Sequence, residues 1–539
     1  MCYVACPMTQ ATTEDAALIE RDDKMPSGIP FIISNEFAER FCFYGINSIL
    51  TIYLASNLHF SQARAASWQS LFKSGAYFFP MVGAVISDVF WGKFRTIMVF
   101  SICYALGCVA LALLGHTPEA IAASLFFVAL GTGGIKPCVS TNVGDQFTAK
   151  NSHLIERAFS LFYLAINAGS SISIFLCPVL LKDPAWGPKW AFGLPASMMA
   201  VATLVFFLGR SRYAHVPPAG PSWFKDIVSK DGLALIGRLL VIYFFVSIFW
   251  MLWDQSNGNT WTLQAQSSLM DKNLGLGITL LPAQLQVVNG LFILALVPVF
   301  TFGIYPFLGR FFTVTPLRKI GIGLFVTAAS FVVVAMIEKR IQNGHTISAW
   351  WQILAYVIMT MGEVLVSITA LEFSYKQAPL RMKSFIMGLF LLSTSLGNLG
   401  IAAVNNAMVK PLVATAIETG PETWIKLDTV DKLITGQKID VANEGDSLKS
   451  VDAAGKSSKL EGTFLIAAID SAGSRVRLRD AIERGPVVST GSFSSMVKVS
   501  TYWLVGPMYF YFFVGIMLVM GVIYIFFAMA YKEQTHVRV

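Results

Sequence analysis

Twelve stretches of about 18 or more predominantly apolar residues run along the chain. They fall at approximately 30–55, 68–90, 95–116, 119–145, 158–181, 189–209, 236–261, 283–307, 317–338, 349–375, 384–409 and 500–531. At 1.5 Å of rise per residue, each is long enough for a helix to cross a hydrocarbon layer roughly 30 Å thick. A surface helix of a soluble protein would carry an apolar stripe and a polar opposite face instead. The pattern predicts an all-α integral membrane protein of 12 transmembrane helices, with a Pro/Gly-bearing connection at 210–235 dividing them into two six-helix bundles.

The expected organisation is a cytoplasmic tail at 1–29, a first bundle at 30–209 and a cytoplasmic linker at 210–235. Helices 7–11 follow at 236–409, a polar insert at 410–499, helix 12 at 500–531 and a cytoplasmic tail at 532–539. Within the insert, Thr463-Phe464-Leu465-Ile466 and Val476-Arg477-Leu478-Arg479 read as short strands. Orientation follows from the short loops, because basic residues concentrate on the cytoplasmic side. One set holds Lys93, Arg95, Lys150, Arg157, Arg210, Arg212, Lys225, Lys230, Arg310, Arg318, Lys319, Lys376, Arg381 and Lys383; the other holds only Arg64, Lys182, Lys189, Lys272, Lys339 and Arg340. Fourteen against six places both termini in the cytoplasm and the insert on the outer face.

Composition strengthens this reading. Only 13% of the 539 residues are charged and 55% are hydrophobic, against about a quarter charged in a soluble domain. The net charge of +8 belongs to loops between spans, which argues against nucleic acid as a partner. The seven cysteines show no metal or redox spacing, the six histidines are scattered singly, and no short apolar core precedes a cleavage site. Gly83…Asp88…Gly92-Lys93-Phe94-Arg95 between spans two and three has a weaker echo in Gly303…Gly309-Arg310 between spans eight and nine. Equivalent loops in two six-helix halves imply a duplicated unit, the architecture of secondary transporters with a midplane site.

Ionisable residues inside spans carry the candidate chemistry, since each costs roughly 2.5–3.5 kcal/mol at a helix centre. Glu36, Glu39 and Arg40 share one face of span one by their i, i+3 and i+4 spacing. Two carboxylates on one arginine form a proton-responsive cluster, whereas an inert ion pair needs only one of them. Lys73 lies in span two, Lys136 in span four, Arg238 and Asp254 in span seven, Glu363 and Glu372 in span ten. Lys136 and Glu363 lie in different halves and suit the two ends of a zwitterion; a direct salt bridge between them is the other reading. Gly131-Thr132-Gly133-Gly134-Ile135-Lys136 lacks the spacing, the Gly-Lys-Ser/Thr end and the preceding strand of a phosphate loop. No nucleotide or other cofactor is expected, leaving an ion gradient as the energy source.

Several motifs resemble the proton-dependent oligopeptide transporter family of the major facilitator superfamily. Glu36-x-x-Glu39-Arg40-Phe41-x-Phe43-Tyr44-Gly45 is similar to that family's span-one signature. Gly131 to Lys136-Pro137, Phe162-Tyr163 to Asn167-x-Gly169, Phe249-Trp250-x-x-x-Asp254-Gln255, Gly362-Glu363 and Leu371-Glu372-Phe373-Ser374-Tyr375 resemble further blocks, in family order. The resemblance implies a major facilitator fold and a symporter, not an enzyme, that imports di- and tripeptides with protons. Arg40 and Lys136 would hold the peptide carboxylate, Glu363 the amino terminus, and Asn167 and Asn289 the backbone. Tyr44, Tyr77, Tyr163, Trp250 and Phe390 would line side-chain pockets. Termini fixed by opposite charges admit roughly 3.3–3.6 Å per residue, which favours two or three residues.

The chain departs from the family pattern at Phe43 (for tyrosine), Phe390 (for tryptophan), Asn47 (for arginine), Thr301 (for aspartate) and Ser70 (for histidine). Arg238 thereby loses its expected cytoplasmic partner and Asp254 its outer one. Lys73, three residues after Ser70, is expected to pair with Asp254 in an outer gate; snorkelling to the surface is the alternative. Glu36, Glu39, Arg40 and Asp254 are the expected proton-coupling set, and Lys73, Asp254, Arg238 and Glu372 the gating set. The expected partners are peptides, protons and the bilayer of the cell membrane, with the monomer as functional unit. Two other readings stay open: transport of nitrate or another small anion, and a sensor or scaffold that transports nothing.

Overall fold

The computed structural model describes residues 24–531 apart from 149, 219, 221–223, 225–226, 276, 379–381, 444–447, 452–456 and 495–496. The tail residues 1–23 and 532–539, and Lys225 and Arg381 of the basic loops, lie outside the described residues.

Twelve long helices follow one another: α1 (Ile29–Ile52), α2 (Gln62–Val85), α3 (Lys93–Leu114), α4 (Pro118–Asp145), α5 (Ile155–Lys182) and α6 (Gly187–Leu208). After the linker come α7 (Lys230–Ser256), α8 (Val287–Val299), α9 (Pro316–Gln342), α10 (Trp350–Glu363), α11 (Lys383–Ala407) and α12 (Pro507–Ala530). A π-turn at Phe300–Ile304 carries α8 into Tyr305–Leu308, and one at Val364–Ile368 carries α10 into Thr369–Gln377. Starts are fixed by local chemistry. Ser61, Thr117, Ser229 and Thr315 accept from the backbone of the first turn, satisfying amides that would otherwise lack partners. Proline, whose missing N–H costs nothing there, opens α4, α9 and α12.

Among the described residues, ten helical spans are long and apolar enough to cross a membrane. The two long helices that fall short are α1 and α2, which carry Glu36, Glu39, Arg40 and Lys73. Two separate buried cores, one built on α1–α6 around Phe43, Tyr104 and Phe192, the other on α7–α12 around Phe249, Phe331 and Phe513, divide the helices into two bundles.

Short strands β1 (Met270–Asp271) and β2 (Ile347–Ser348) pair between two loops of the second bundle. Ten more strands lie between α11 and α12: β3 (Val409–Leu412), β4 (Ala414–Glu418), β5 (Trp424–Leu427), β6 (Lys438–Asn443), β7 (Leu448–Val451), β8 (Ser457–Lys459), β9 (Gly462–Asp470), β10 (Arg475–Asp480), β11 (Val488–Gly491) and β12 (Val497–Tyr502). They form a seven-stranded sheet, ordered β3-β12-β6-β9-β10-β5-β4, and a three-stranded one, β11-β7-β8, with every pairing antiparallel. Ile425, Ile439, Val441, Ile466, Val476 and Val499 fill a third core of their own. The reading that started helix 12 at residue 500 is corrected. Val497, Val499 and Thr501 are buried in alternation and β12 bonds to both β3 and β6, so α12 begins at Pro507.

One buried carboxylate gives this domain a pH dependence. Burial pushes Asp440 from 3.8 up to about 6, against the pull of hydrogen bonds from Thr463, Tyr502 and Ser61. The folded domain therefore holds more protons than the unfolded chain between about pH 4 and 6, so stability falls as pH rises through that window. The loss is on the order of 3 kcal/mol. Hydrogen exchange at β6 and β9 in the full chain, corrected for intrinsic rate, is expected to speed up from pH 4.5 to pH 7. In Asp440→Asn the slope flattens; an equal slope in both proteins would contradict the assignment.

Candidate functional site

On α1, Arg40 Nε lies 2.6 Å from Glu36 Oε1 and 3.1 Å from Glu39 Oε2, and both glutamates are buried. The i, i+4 spacing aligns Glu36 with Arg40, and adjacency brings in Glu39. Glu39 is held from outside the helix as well, because Thr132 of α4 donates to its Oε1 at 2.5 Å. The glycines beside Thr132 seat α4 against α2 and α3: a Cβ on Gly83 of α2 would sit 2.6 Å from the Gly134 carbonyl oxygen, and one on Gly134 would sit 2.3 Å from the Phe100 ring of α3.

Lys136 follows Thr132 by one turn and shares its face. Its Nζ lies 4.4 Å from the Phe43 ring centre and 4.0 Å from that of Tyr77, and it has no hydrogen-bond partner among the described residues. An ammonium over aromatic faces is favourable but leaves its three donors unused. Tyr44 is half-buried, edge-on to Phe43 at 5.4 Å between centres.

Glu363 sits on α10 in the other half. Its Oε2 accepts from Trp253 Nε1 at 2.9 Å and from Asn289 Nδ2 at 2.8 Å, while Asn289 also reaches Thr360. Lys136 and Glu363 therefore do not form the direct salt bridge that was the other reading of this pair. Trp250 is buried between the rings of Phe249 and Trp253, at 5.1 and 5.2 Å. Phe390 is buried edge-on to Tyr243. Tyr163 is exposed, and Asn167 donates to the Tyr163 carbonyl of its own helix.

The two halves meet at the end of the bundle that carries the β-domain. Lys73 Nζ lies 2.7 Å from Asp254 Oδ1, both side chains are buried, and Nζ donates also to the Asn257 carbonyl at 2.7 Å. Snorkelling to the surface is excluded for this conformation. Asn398 of α11 donates to the other oxygen of Asp254 at 2.6 Å. Around this pair lies a set of neutral contacts. Asn47 donates to Asn257 Oδ1 at 3.1 Å, Gln69 to Asn47 Oδ1 at 2.7 Å, and Thr51 to the Gly258 carbonyl at 2.6 Å. Asn259 donates to Gln69 Oε1 at 2.6 Å and to Ser70 Oγ at 2.9 Å. Ser74 and Ser395 hydroxyls meet at 2.8 Å. Asn47 and Ser70, two of the positions at which the motifs depart from the family they resemble, thus both take part.

The remaining gating candidates lie elsewhere. Glu372 is exposed and paired with Lys376 one turn on, at 2.5 Å. Arg238 is exposed on α7, and Thr301 Oγ1 donates to its own helix at Val297.

Several residues of the site escaped the sequence reading: Thr132, Trp253, Asn398 and the amides Gln69, Asn257 and Asn259. The signal for the last two was present, as Asp254-Gln255-Ser256-Asn257-Gly258-Asn259 is a polar run closing an otherwise apolar helix.

The sequence profile of the POT family matches residues 94–237 and 229–425. The chain belongs to the POT family. The peptide transporter family 1 protein of Drosophila melanogaster is 37% identical over 363 residues, 59% of this chain and 48% of that protein. This POT family chain spans about half the length of the curated relatives it matches. Among solved structures, the POT family transporter PepTSo is 35% identical, with a TM-score of 0.66 over 71% of this chain and 90% of that one. An auto-inhibited POT family peptide transporter is 27% identical, with a TM-score of 0.70 over 95% of this chain and 99% of that one. The major facilitator fold expected from the motifs is therefore the fold of this POT family member.

Proposed function

We propose that this protein is a proton-coupled symporter that imports di- and tripeptides by alternating access. The observation that carries the reading is the split of the charges. Arg40 and Lys136 lie in the first half, Glu363 lies in the second, and the structure does not pair them across the divide. A zwitterion of two or three residues bridges such a divide, its carboxylate on Arg40 and Lys136 and its ammonium on Glu363. The donors that Lys136 leaves unused favour an arriving carboxylate. Asn167 and Asn289 serve the peptide backbone, and Tyr44, Tyr77, Tyr163, Trp250 and Phe390 supply apolar walls that tolerate many side chains.

The protein sits in the cell membrane with both termini cytoplasmic and the β-domain outside. With Lys73 on Asp254 and the amide network intact, the conformation is closed to the outside. Protonation of Asp254 removes the charge that Lys73 pairs with and releases the outer gate. When a peptide carboxylate draws Arg40 away, Glu36 or Glu39 loses its partner and takes up a proton. The proton gradient supplies the energy, and Arg238 and Glu372 act at the inner end.

In proteoliposomes with an inward-directed proton gradient, labelled dialanine is expected to accumulate above its external concentration. N-acetyl-dialanine, which lacks the ammonium, is expected to be taken up at least ten-fold more slowly, since a missing charge partner in a dry site costs upwards of about 2 kcal/mol. Absence of gradient-driven uptake would sink the symport reading.

A further inference from the structure

The β-domain does not hang free from α11 and α12; it spans the closed end of the bundle. On its own half it is fixed beyond those two connections. Arg484 Nη1 donates to the Ile341 carbonyl at the end of α9 at 2.6 Å, and the Ser268 amide donates to the Ile482 carbonyl at 3.0 Å. Lys438 Nζ stands 3.7 Å from Glu338 Oε1, while Gln264 holds the other oxygen of Glu338 at 2.8 Å.

On the opposite half the contact is narrow and specific. The backbone N–H of Gln62, first residue of α2, donates to Thr463 Oγ1 at 2.8 Å, and Thr463 donates onward to Asp440 Oδ1 at 2.6 Å. Tyr502 donates to the second oxygen of Asp440, and the Ser61 hydroxyl bonds to the same carboxylate. Gly462 lies at φ +117, a conformation open to glycine, and a Cβ there would sit 3.4 Å from the His59 carbonyl oxygen. The start of β9 is thereby laid against the turn between α1 and α2. The amide of Gln62 is one of the four that a helix start leaves without an internal partner, so Thr463 supplies what α2 lacks.

We propose that the β-domain is a third component of the outer gate, with Thr463, oriented by Asp440, as the positioning residue that catches the α1–α2 turn. This rests on the alternating-access reading above. There the two halves separate at this end; a domain rooted in one half and hydrogen-bonded to the other must let go at each cycle. Its hold adds to that of Lys73 on Asp254 but lies outside the bilayer, on the far side of the amide network, and touches no part of the peptide site.

The test uses the full chain in oriented membranes. Ser395→Cys reports opening, because Ser395 is buried against Ser74 at the closed end. Its labelling by a membrane-impermeant maleimide from the β-domain side needs no substrate, so its outcome is separate from whether peptide is the cargo. In that background Thr463→Val is expected to label about five-fold faster, the consequence of losing the one of its two hydrogen bonds that crosses to α2 and stranding the Gln62 amide. Thr463→Ser is expected to label as the parent does, and hydrogen exchange within β6 and β10 to stay unchanged in both. Equal labelling of Val and Ser variants overturns the proposal, as does faster exchange throughout the domain in Thr463→Val. The second arm pairs Gln62→Cys with Thr463→Cys. Oxidation is expected to lock the end shut, stop uptake and abolish labelling of Ser395→Cys, with recovery on reduction. A cross-linked protein that still labels at the parent rate, or a pair that forms no cross-link, overturns it.

Discussion

Glu363→Gln is expected to raise the dialanine concentration needed for half-maximal uptake by about 30-fold or more. Removing one member of a charge pair in a desolvated site costs roughly 2–5 kcal/mol, and 2 kcal/mol is about a factor of 30. The glutamine oxygen can still accept from Trp253 Nε1 and Asn289 Nδ2, which hold the carboxylate at 2.9 and 2.8 Å in the native protein. Packing is therefore retained and the loss isolates the charge. Selectivity separates this outcome from general damage. The native protein should prefer dialanine to its N-acetyl form by ten-fold or more, whereas Glu363→Gln should treat the two nearly alike. Full discrimination in the variant would remove Glu363 from the amine site.

The second large effect concerns the buried pair at the closed end. Lys73→Ala strands Asp254, which is 1% exposed, with Asn398 as its remaining side-chain donor. Breaking a buried pair on one side costs about 3–5 kcal/mol. The outward-open population, read from Ser395→Cys labelling, should therefore rise on the order of 100-fold. Adding Asp254→Asn to Lys73→Ala removes the stranded charge and should bring labelling back at least ten-fold toward the parent. Set against the effect of Asp254→Asn alone, that recovery gives the coupling energy of the pair. If the single effects simply multiply in the double variant, Lys73 and Asp254 do not act together.

The legible parts of this protein were those in which one residue type carries one meaning. Ten of the twelve long helices followed from apolar length, because lipid permits few other ways to satisfy a backbone. The Glu36, Glu39 and Arg40 cluster followed from spacing on one helix. Lys73 and Asp254 could be matched across 181 positions because the family resemblance left Asp254 without its outer partner and Lys73 lies three residues after Ser70, on nearly the same helix face. The amide network was illegible for the converse reason. Asn47, Gln69, Asn257 and Asn259 bear no charge, and an amide can donate or accept, so their type does not specify a partner. Trp253 was hidden among neighbouring aromatics; only its Nε1 direction distinguishes a ligand of Glu363 from a pocket wall. Of the ten strands of the β-domain only β9 and β10 were legible from alternation, and the sheet order joining β12 to β6 and β3 depends on pairings that alternation leaves unspecified. That closure also moved the start of α12 to Pro507.

The helices least suited to lipid, α1 and α2, stand ahead of the ten apolar spans in chain order. During synthesis they reach the membrane before Asp254, Asn257 and Asn398 exist to receive Lys73 and the amides. Such a hairpin partitions weakly on its own, because Lys73 and the amides of α1 and α2 have no mates in hydrocarbon before then, whereas Glu36, Glu39 and Arg40 carry theirs within α1. Its lasting residence in the bilayer must wait for α7 and α11, so biogenesis of the first bundle is tied to completion of the second. In membrane-bound chains truncated before residue 254, Ser70→Cys on α2 should accordingly stay open to a membrane-impermeant maleimide, while in the finished protein, where Ser70 is buried, it should not label. The contacts that join α2 to α7 and α11 in the mature molecule are thus also those expected to retain its first two helices.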